Sequence, residues 1–259
     1  MDNWILFTIF AVASYFLGNV NNAIWISKLK KNDIRNLGSG NPGTMNMSRN
    51  FGLKIGILTL LLDALKGAIP ALVGYFVFVN KSPATSIPFD LADLSKYAFG
   101  LCAVLGHIFP VLFKFKGGKG IATTIGAMMV CSCTSGIAIA IIAIMSCVAA
   151  VLFIYHTEFG AMGSFIAITP PAIANSIYLY VKYAGLPGIR SQDVLYMISC
   201  GIIGLICFIT WLAHRKNIER MLKGEEHATS IKTMIFKHKQ KKLAQKAKIN
   251  NQNENGNEQ

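Results

Sequence analysis

The chain has 259 residues, 53% hydrophobic and only 14% charged, whereas a soluble domain carries about 25% charged residues; the composition excludes an ordinary soluble domain and points to lipid. A formal charge of +13 would suit a nucleic-acid binder, but its distribution excludes that class. Of 25 Lys and Arg, 6 lie in Lys28–Lys54, 3 in Lys114–Lys119 and 11 in Arg215–Lys248, which leaves 5 for the long apolar runs between these islands.

The first run, residues 4–27, follows Asp2 rather than a basic residue and has no small-residue cleavage pattern after it, so it reads as a retained span rather than a signal peptide. Further apolar runs cover 55–79, 96–113, 121–155, 164–182 and 194–213. A helix crosses the hydrocarbon core with about 20 residues, so the run at 121–155 is too long for one span. Lys and Arg concentrate on the cytoplasmic side of membrane proteins. The basic stretches at 114–119 and from 214 onward then share a side, and an even number of spans must separate them. Splitting the long run at CSCTSG, Cys131–Gly136, into 120–133 and 137–155 satisfies that parity. The expected fold is an all-α integral membrane protein with seven transmembrane helices, its N-terminus outside and its C-terminus cytoplasmic. The tail at 227–259 is basic, then Asn-rich and without apolar periodicity, and is expected to be disordered. The six cysteines lie in apolar segments and read as small buried hydrophobes, with no metal-site spacing among them.

The first polar island is LGSGNPGTMNMSRN, Leu37–Asn50. Its glycines leave backbone N–H groups uncovered, as in an anion nest. Ser39, Asn41 and Asn46 add polar groups, and Arg49 a forked cation suited to phosphate. The second is GHIFPVLFKFKGGKG, Gly106–Gly120. Gly117, Gly118 and Gly120 around Lys119 follow the logic of a phosphate cradle. The nucleotide P-loop spacing is absent, so the expectation is a phosphate site rather than a nucleotide site. Lys114 and Lys116 read as snorkelling anchors. The third island, Ala213–Glu226, is expected to continue the last helix into the cytoplasm, with His214 and Asn217 on one face and Gly224 ending it. That pair can orient a hydroxyl or stabilise an oxyanion. His107, near a span end, is expected to make a structural hydrogen bond. Asp63 and Lys66, three apart inside the second span, are expected to form a structural ion pair facing the protein interior.

These motifs resemble those of the bacterial acyl-phosphate:glycerol-3-phosphate acyltransferases, the PlsY family. The resemblance is carried by SGNxGxxNxxR at Ser39–Arg49, GHxFP…FKGGKGxAT at Gly106–Thr123 and HxxNIxRxxxGxE, from His214 through Arg220 to Glu225, with DxLKG at Asp63–Gly67 beside them. It implies a membrane-embedded acyltransferase domain over 1–226, in the bacterial plasma membrane with its active site facing the cytoplasm. The implied reaction moves a fatty acyl group from acyl phosphate to the 1-hydroxyl of glycerol 3-phosphate, giving lysophosphatidic acid and inorganic phosphate without metal or cofactor. This is the first acylation of phospholipid synthesis. The implied partners are the two substrates, membrane lipids and the soluble enzyme that makes acyl phosphate, with no nucleic acid. Ser39, His214 and Asn217 are the expected catalytic residues. Arg49, Lys119, Gly117, Gly118, Gly120, Asn41 and Asn46 are the expected phosphate contacts, supported by His107, Asp63, Lys66, Arg220 and Glu225. Glu158, where the family pattern leads one to expect a basic residue, and Thr44–Met45, where it has a smaller pair, depart from it.

Two other classes fit the sequence less well. An acyl-CoA-dependent enzyme would use HxxxxD, but His214 and Glu219 lie about 140° apart on a helix. A membrane transporter of a phosphate ester could use the same cradle, but the paired halves of such folds are not evident in the sequence.

Overall fold

In a computed structural model the chain is described over residues 2–82, 89–184 and 190–225, with backbone only at 190–193, and at positions 236 and 240. The expected disordered tail at 227–259 lies outside the described residues apart from those two positions. Ten α-helices are described: α1 (Asn3–Asn19), α2 (Asn22–Leu29), α3 (Thr44–Phe51), α4 (Leu53–Phe78), α5 (Ala92–Ile108), α6 (Ile121–Ser135), α7 (Ile137–Thr157), α8 (Gly160–Tyr183), α9 (Arg190–Leu212) and α10 (Arg215–Leu222). Among the described residues six helical segments are long and apolar enough to cross a membrane: Asn3–Leu29, Leu53–Phe78, Ala92–Phe113, Ile137–Thr157, Gly160–Tyr183 and Val194–Leu212. The apolar helix α6 has 15 residues, about 22 Å, against a hydrocarbon core of about 30 Å. The long fourth run does divide, at Gly136, whose φ of 147° lets a single residue join α6 to α7.

Helices α8 and α9 begin at Gly160 and Arg190, four residues before the expected starts, and two further boundaries differ from the sequence expectation for reasons the structure shows. The first span is not one continuous helix. It breaks at Val20–Asn21, where the Asn21 side chain accepts the Ile24 N–H at 3.1 Å and so caps α2. The carbonyl of Val20 then receives the Lys66 ammonium at 2.7 Å. Lys66 also pairs with Asp63 at 3.0 Å, and Asn22 donates to the same carboxylate at 2.8 Å. The expected ion pair inside the second span therefore satisfies backbone that the break exposes, which is how non-helical chain is tolerated at membrane depth. The third span begins at Ala92 rather than Lys96, because Asp93 and Lys96 are paired inside the bundle.

Glycines set the closest helix approaches. A Cβ at Gly106 would lie 2.1 Å from the Tyr15 carbonyl, and one at Gly18 2.2 Å from that of Ala103, so α1 and α5 meet backbone to backbone. Gly67 and Gly126 do the same for α4 and α6, where added Cβ atoms would come within 2.0 Å of the Thr123 oxygen and 1.9 Å of the Ala64 oxygen. Such small-residue contacts hold membrane helices where no hydrophobic drive separates side chain from lipid. α6 is thereby seated deep against α4, with the glycine-lysine loop at its N-terminus.

Candidate functional site

The 33–52 segment, a loop that runs into α3, is built around one asparagine. Asp33 caps a short 3-10 turn by accepting the Arg35 N–H at 3.0 Å, and the adjacent Arg35 guanidinium holds its carboxyl down at about 2. Asn46, buried on α3, donates to the carbonyls of Leu37 (2.8 Å) and Ile34 (3.3 Å). Its oxygen accepts the Ser39 N–H at 3.2 Å and the Asn50 amide at 3.0 Å. Asn46, expected among the phosphate contacts, has its side-chain oxygen and nitrogen engaged inside the loop in this structure. Gly38, at φ 54°, turns the chain over it, leaving Ser39 exposed. The Asn41 N–H lies 3.4 Å from Ser39 Oγ. Arg49 is exposed on the last turn of α3.

The glycine-lysine loop folds back on the end of α5. Gly118 N–H donates to the His107 carbonyl at 3.2 Å. A Cβ at Gly117 would lie 2.0 Å from that same oxygen. A Cβ at Gly118 would lie 2.2 Å from His107 Nε2 and 3.1 Å from the Pro42 carbonyl. The second contact brings the first island against the second. Gly120, with φ 83°, is the N-cap of α6, so the loop delivers its amides to a helix N-terminus, the polarity that suits an anion. The structural hydrogen bond expected of His107 is not found: the ring is buried, and Nδ1 has no partner among the described residues. Its edge packs against Gly118 instead.

The third island is not the expected continuous helix. α9 ends at Leu212, and α10 starts at Arg215 with His214 in the N-cap position. His214 is buried, and its Nδ1 lies 2.9 Å from the Thr210 carbonyl. A carbonyl only accepts, so Nδ1 carries a hydrogen; in the neutral form of the ring Nε2 is then the acceptor. Asn217 stays one turn away through its N–H bond to the His214 carbonyl at 2.8 Å. Its side-chain oxygen accepts a hydrogen bond from Lys119 Nζ, which ties the third island to the second. Deeper in the bundle, the hydroxyls of Thr124 (α6) and Thr210 (α9) pair at 3.2 Å along the same seam. Gly224, at φ 70°, closes α10, and the Glu225 N–H donates to the Arg220 carbonyl at 2.8 Å.

Three islands far apart in sequence thus meet at one end of the bundle. Glycine amides and Lys119 come from one, Ser39 and the exposed Arg49 from another, and a tautomerically fixed imidazole with an amide from the third. Asp63 and Lys66 stand behind the site, in the wall. Sequence reasoning missed Thr210, Thr124 and Phe165, whose ring lies 5.6 Å from that of His214. Thr210 had a signal, since it sits four residues before His214. Among the described residues no three His, Cys, Asp or Glu side chains cluster as metal ligands would.

Known proteins resemble this chain in sequence and in fold. The sequence model described as glycerol-3-phosphate acyltransferase matches residues 8–224. A glycerol-3-phosphate acyltransferase of Mycoplasmopsis pulmonis is 34% identical over 218 residues, covering 84% of this chain and 90% of that protein. One of Enterococcus faecalis is 34% identical over 236 residues, covering 90% and 96%. Among solved structures, the glycerol 3-phosphate form of PlsY, an integral membrane glycerol 3-phosphate acyltransferase, superposes with a TM-score of 0.66 at 31% identity. It covers 89% of this chain and 98% of that one. The lysophosphatidic acid form of the same protein gives a TM-score of 0.64 at 30% identity.

Proposed function

Because the chain belongs to the glycerol-3-phosphate acyltransferase family, we propose that it uses acyl phosphate as donor, forming lysophosphatidic acid and releasing inorganic phosphate. The observation that carries this reading is the bond from Lys119 to Asn217. It joins an anion cradle to a hydroxyl-orienting pair, so one end of the bundle combines phosphate binding with acyl-transfer geometry.

Each group has a task. The Gly117–Gly120 amides and Lys119 hold the glycerol 3-phosphate phosphate, and Ser39 and Arg49 hold phosphate oxygens beside them. His214 Nε2 accepts a hydrogen bond from the 1-hydroxyl and aims its oxygen at the donor carbonyl. The new ester C–O bond forms as the carbonyl–phosphate C–O bond breaks, the hydroxyl proton passes by way of His214 Nε2 to the departing phosphate, and hydrogen phosphate leaves next to Lys119. Acyl phosphate is already activated, so alignment and charge stabilisation supply the catalysis. The acyl chain leaves this site towards lipid, along the apolar face that starts at Phe165 and Ile218 beside His214 and Asn217. Counting α6 as a seventh span puts the three basic islands on the cytoplasmic side and the N-terminus outside. Both phosphate substrates then arrive from the cytoplasm, the donor from the soluble enzyme that makes it, while the tail stays in the bilayer. The charges and amides of the glycine-lysine loop therefore sit at the bilayer edge.

The test uses the full chain purified in detergent or lipid, with palmitoyl phosphate and glycerol 3-phosphate. Phosphate and lysophosphatidic acid are followed together, with Lys119→Ala as control. Equal release of both, lost in the control, is expected. An intact protein that forms no lysophosphatidic acid from this donor overturns the proposal.

A further inference from the structure

The lipid-facing side of α8 and α9 carries two shallow apolar compartments that share a border. The lower, about 540 Å³, includes Phe165 and Pro170 of α8 and Ile218 of α10. The upper, about 640 Å³, includes Ala172 and Tyr180 of α8 and Gly204 and Phe208 of α9. Thr169 and Trp211 border both. Both volumes fall in the range that holds a small ligand. The lower compartment begins at the site itself. The Phe165 ring lies 5.6 Å from His214 on one side and 5.6 Å from Trp211 on the other. Trp211 and Thr169 therefore form a waist, with the reacting groups below it and a second apolar chamber above it.

We infer that the upper compartment is the part of the acyl site that tells long donors from short ones, and that Gly204 keeps it open. This rests on the acyl-phosphate reading above. The occupant follows from continuity: the groove leaves the His214–Asn217 pair, has an apolar lining and opens to lipid, which suits a fatty chain whose reacting carbonyl is held beside His214. Length sets what each compartment meets. Gly204 lies eight residues before Leu212, the end of α9, about 12 Å along the helix axis, and His214 stands just beyond that end. One leaflet of hydrocarbon is about 15 Å deep, half of an approximately 30 Å core, and a full-length membrane acyl chain spans it. A chain of that length anchored at His214 reaches Gly204, and one of half that length ends near the waist. Within the described residues a Cβ at Gly204 would meet nothing within 4 Å, so a larger side chain there fills groove rather than displacing the bundle.

The experiment compares octanoyl phosphate with palmitoyl phosphate as donors for the full-length enzyme and for Gly204→Ala and Gly204→Leu. Gly201→Leu is the control, because a Cβ at Gly201 also meets nothing within 4 Å, on the same helix but outside the groove. For Gly204→Leu, kcat/KM with palmitoyl phosphate is expected to fall by about tenfold or more, the discrimination that a single methylene gives in an apolar pocket. Gly204→Ala should fall less, octanoyl phosphate should be used as before, and Gly201→Leu should behave as the parent with both donors. Equal losses for the two donors, or no loss for either, overturn the inference and leave the groove a seat for boundary lipid. If the parent protein acylates glycerol 3-phosphate with neither donor, the donor assignment itself has failed.

Discussion

Gly117→Ala is the sharpest test of how the loop is held. A Cβ there would lie 2.0 Å from the His107 carbonyl oxygen, 2.7 Å from that of Ile108 and 2.6 Å from Pro110 Cδ. Contacts under 3.0 Å are essentially never seen for real Cβ atoms, so the nearest one alone demands about 1 Å of movement. The obstructing oxygens belong to the last turn of α5, which Gly106 locks against α1, so the loop yields rather than the helix. A displacement of about 1 Å in a substrate-positioning element costs about a hundredfold in rate, and overpacking a tight site costs about 1–3 kcal/mol. The assay is steady-state kinetics at varied glycerol 3-phosphate, with a thermal unfolding midpoint in the same detergent. The expected result is a fall of about two orders of magnitude in kcat/KM, with the unfolding midpoint lowered by less than would unfold the protein at assay temperature. Near-parental kcat/KM would refute the reasoning, because the amides of this loop would then not be the ones that position substrate.

Two further substitutions probe the frame. Asp63→Asn leaves the Lys66 ammonium 4% exposed without its 3.0 Å partner, and breaking such a buried pair is expected to cost about 3–5 kcal/mol. The double replacement Asp63→Leu with Lys66→Met should unfold at a higher temperature than Asp63→Asn, and the reverse order would count against a structural pair. Asn46→Asp puts an acceptor where the amide now donates to the Leu37 and Ile34 carbonyls at 2.8 and 3.3 Å. The two carbonyls keep the N–H bonds from Gly40 (3.0 Å) and Leu37 (3.2 Å) but lose the amide donor and face a carboxylate oxygen, which is expected to cost about 1–3 kcal/mol in all, read as a lower unfolding midpoint together with lower activity from a distorted Ser39 loop; unchanged values for both would return Asn46 to the substrate side.

Hydropathy and sidedness were enough to find the apolar runs and the turn at Gly136, because length against bilayer thickness is a one-dimensional property of sequence. They misplaced the start of α5 for a reason equally plain. A window of residues records that Asp93 and Lys96 are charged, not that they lie 2.8 Å apart inside the bundle. The break at Val20–Asn21 escaped because asparagines carry no charge and the run stays apolar around them. The site was legible as three polar islands on one face. Its assembly was not, since Lys119 and Asn217 are 98 residues apart and Thr124 and Thr210 are 86 apart. Asn46 is ambiguous in sequence because, in a glycine-rich loop, a polar residue that binds substrate and one that holds the loop have the same appearance.

The placement of Lys119 depends on a helix too short for its surroundings. At about 22 Å, α6 ends at Ser135, and its far end is met by side chains rather than headgroups. Lys96, fully buried, donates to Ser135 Oγ at 3.0 Å and pairs with Asp93 at 2.8 Å. Asp93 in turn receives Lys182 at 2.6 Å and the Tyr183 hydroxyl at 2.7 Å from the end of α8. Asn175 of α8 accepts from the Tyr97 hydroxyl at 2.9 Å and donates to Ser132 Oγ of α6 at 2.9 Å. Every hydrogen bond in this cluster crosses from α5 or α8 to the last turn of α6, or supports one that does. Polar groups are costly in hydrocarbon unless paired, so once satisfied they fix the depth of α6 more sharply than apolar contacts, which slide at little cost. With one end pinned by this cluster and the flank pinned by Gly67 and Gly126, the N-terminus of α6 has little freedom along its axis. The cradle at Gly117–Gly120 is therefore located from the opposite side of the bundle, by residues that never approach the substrate.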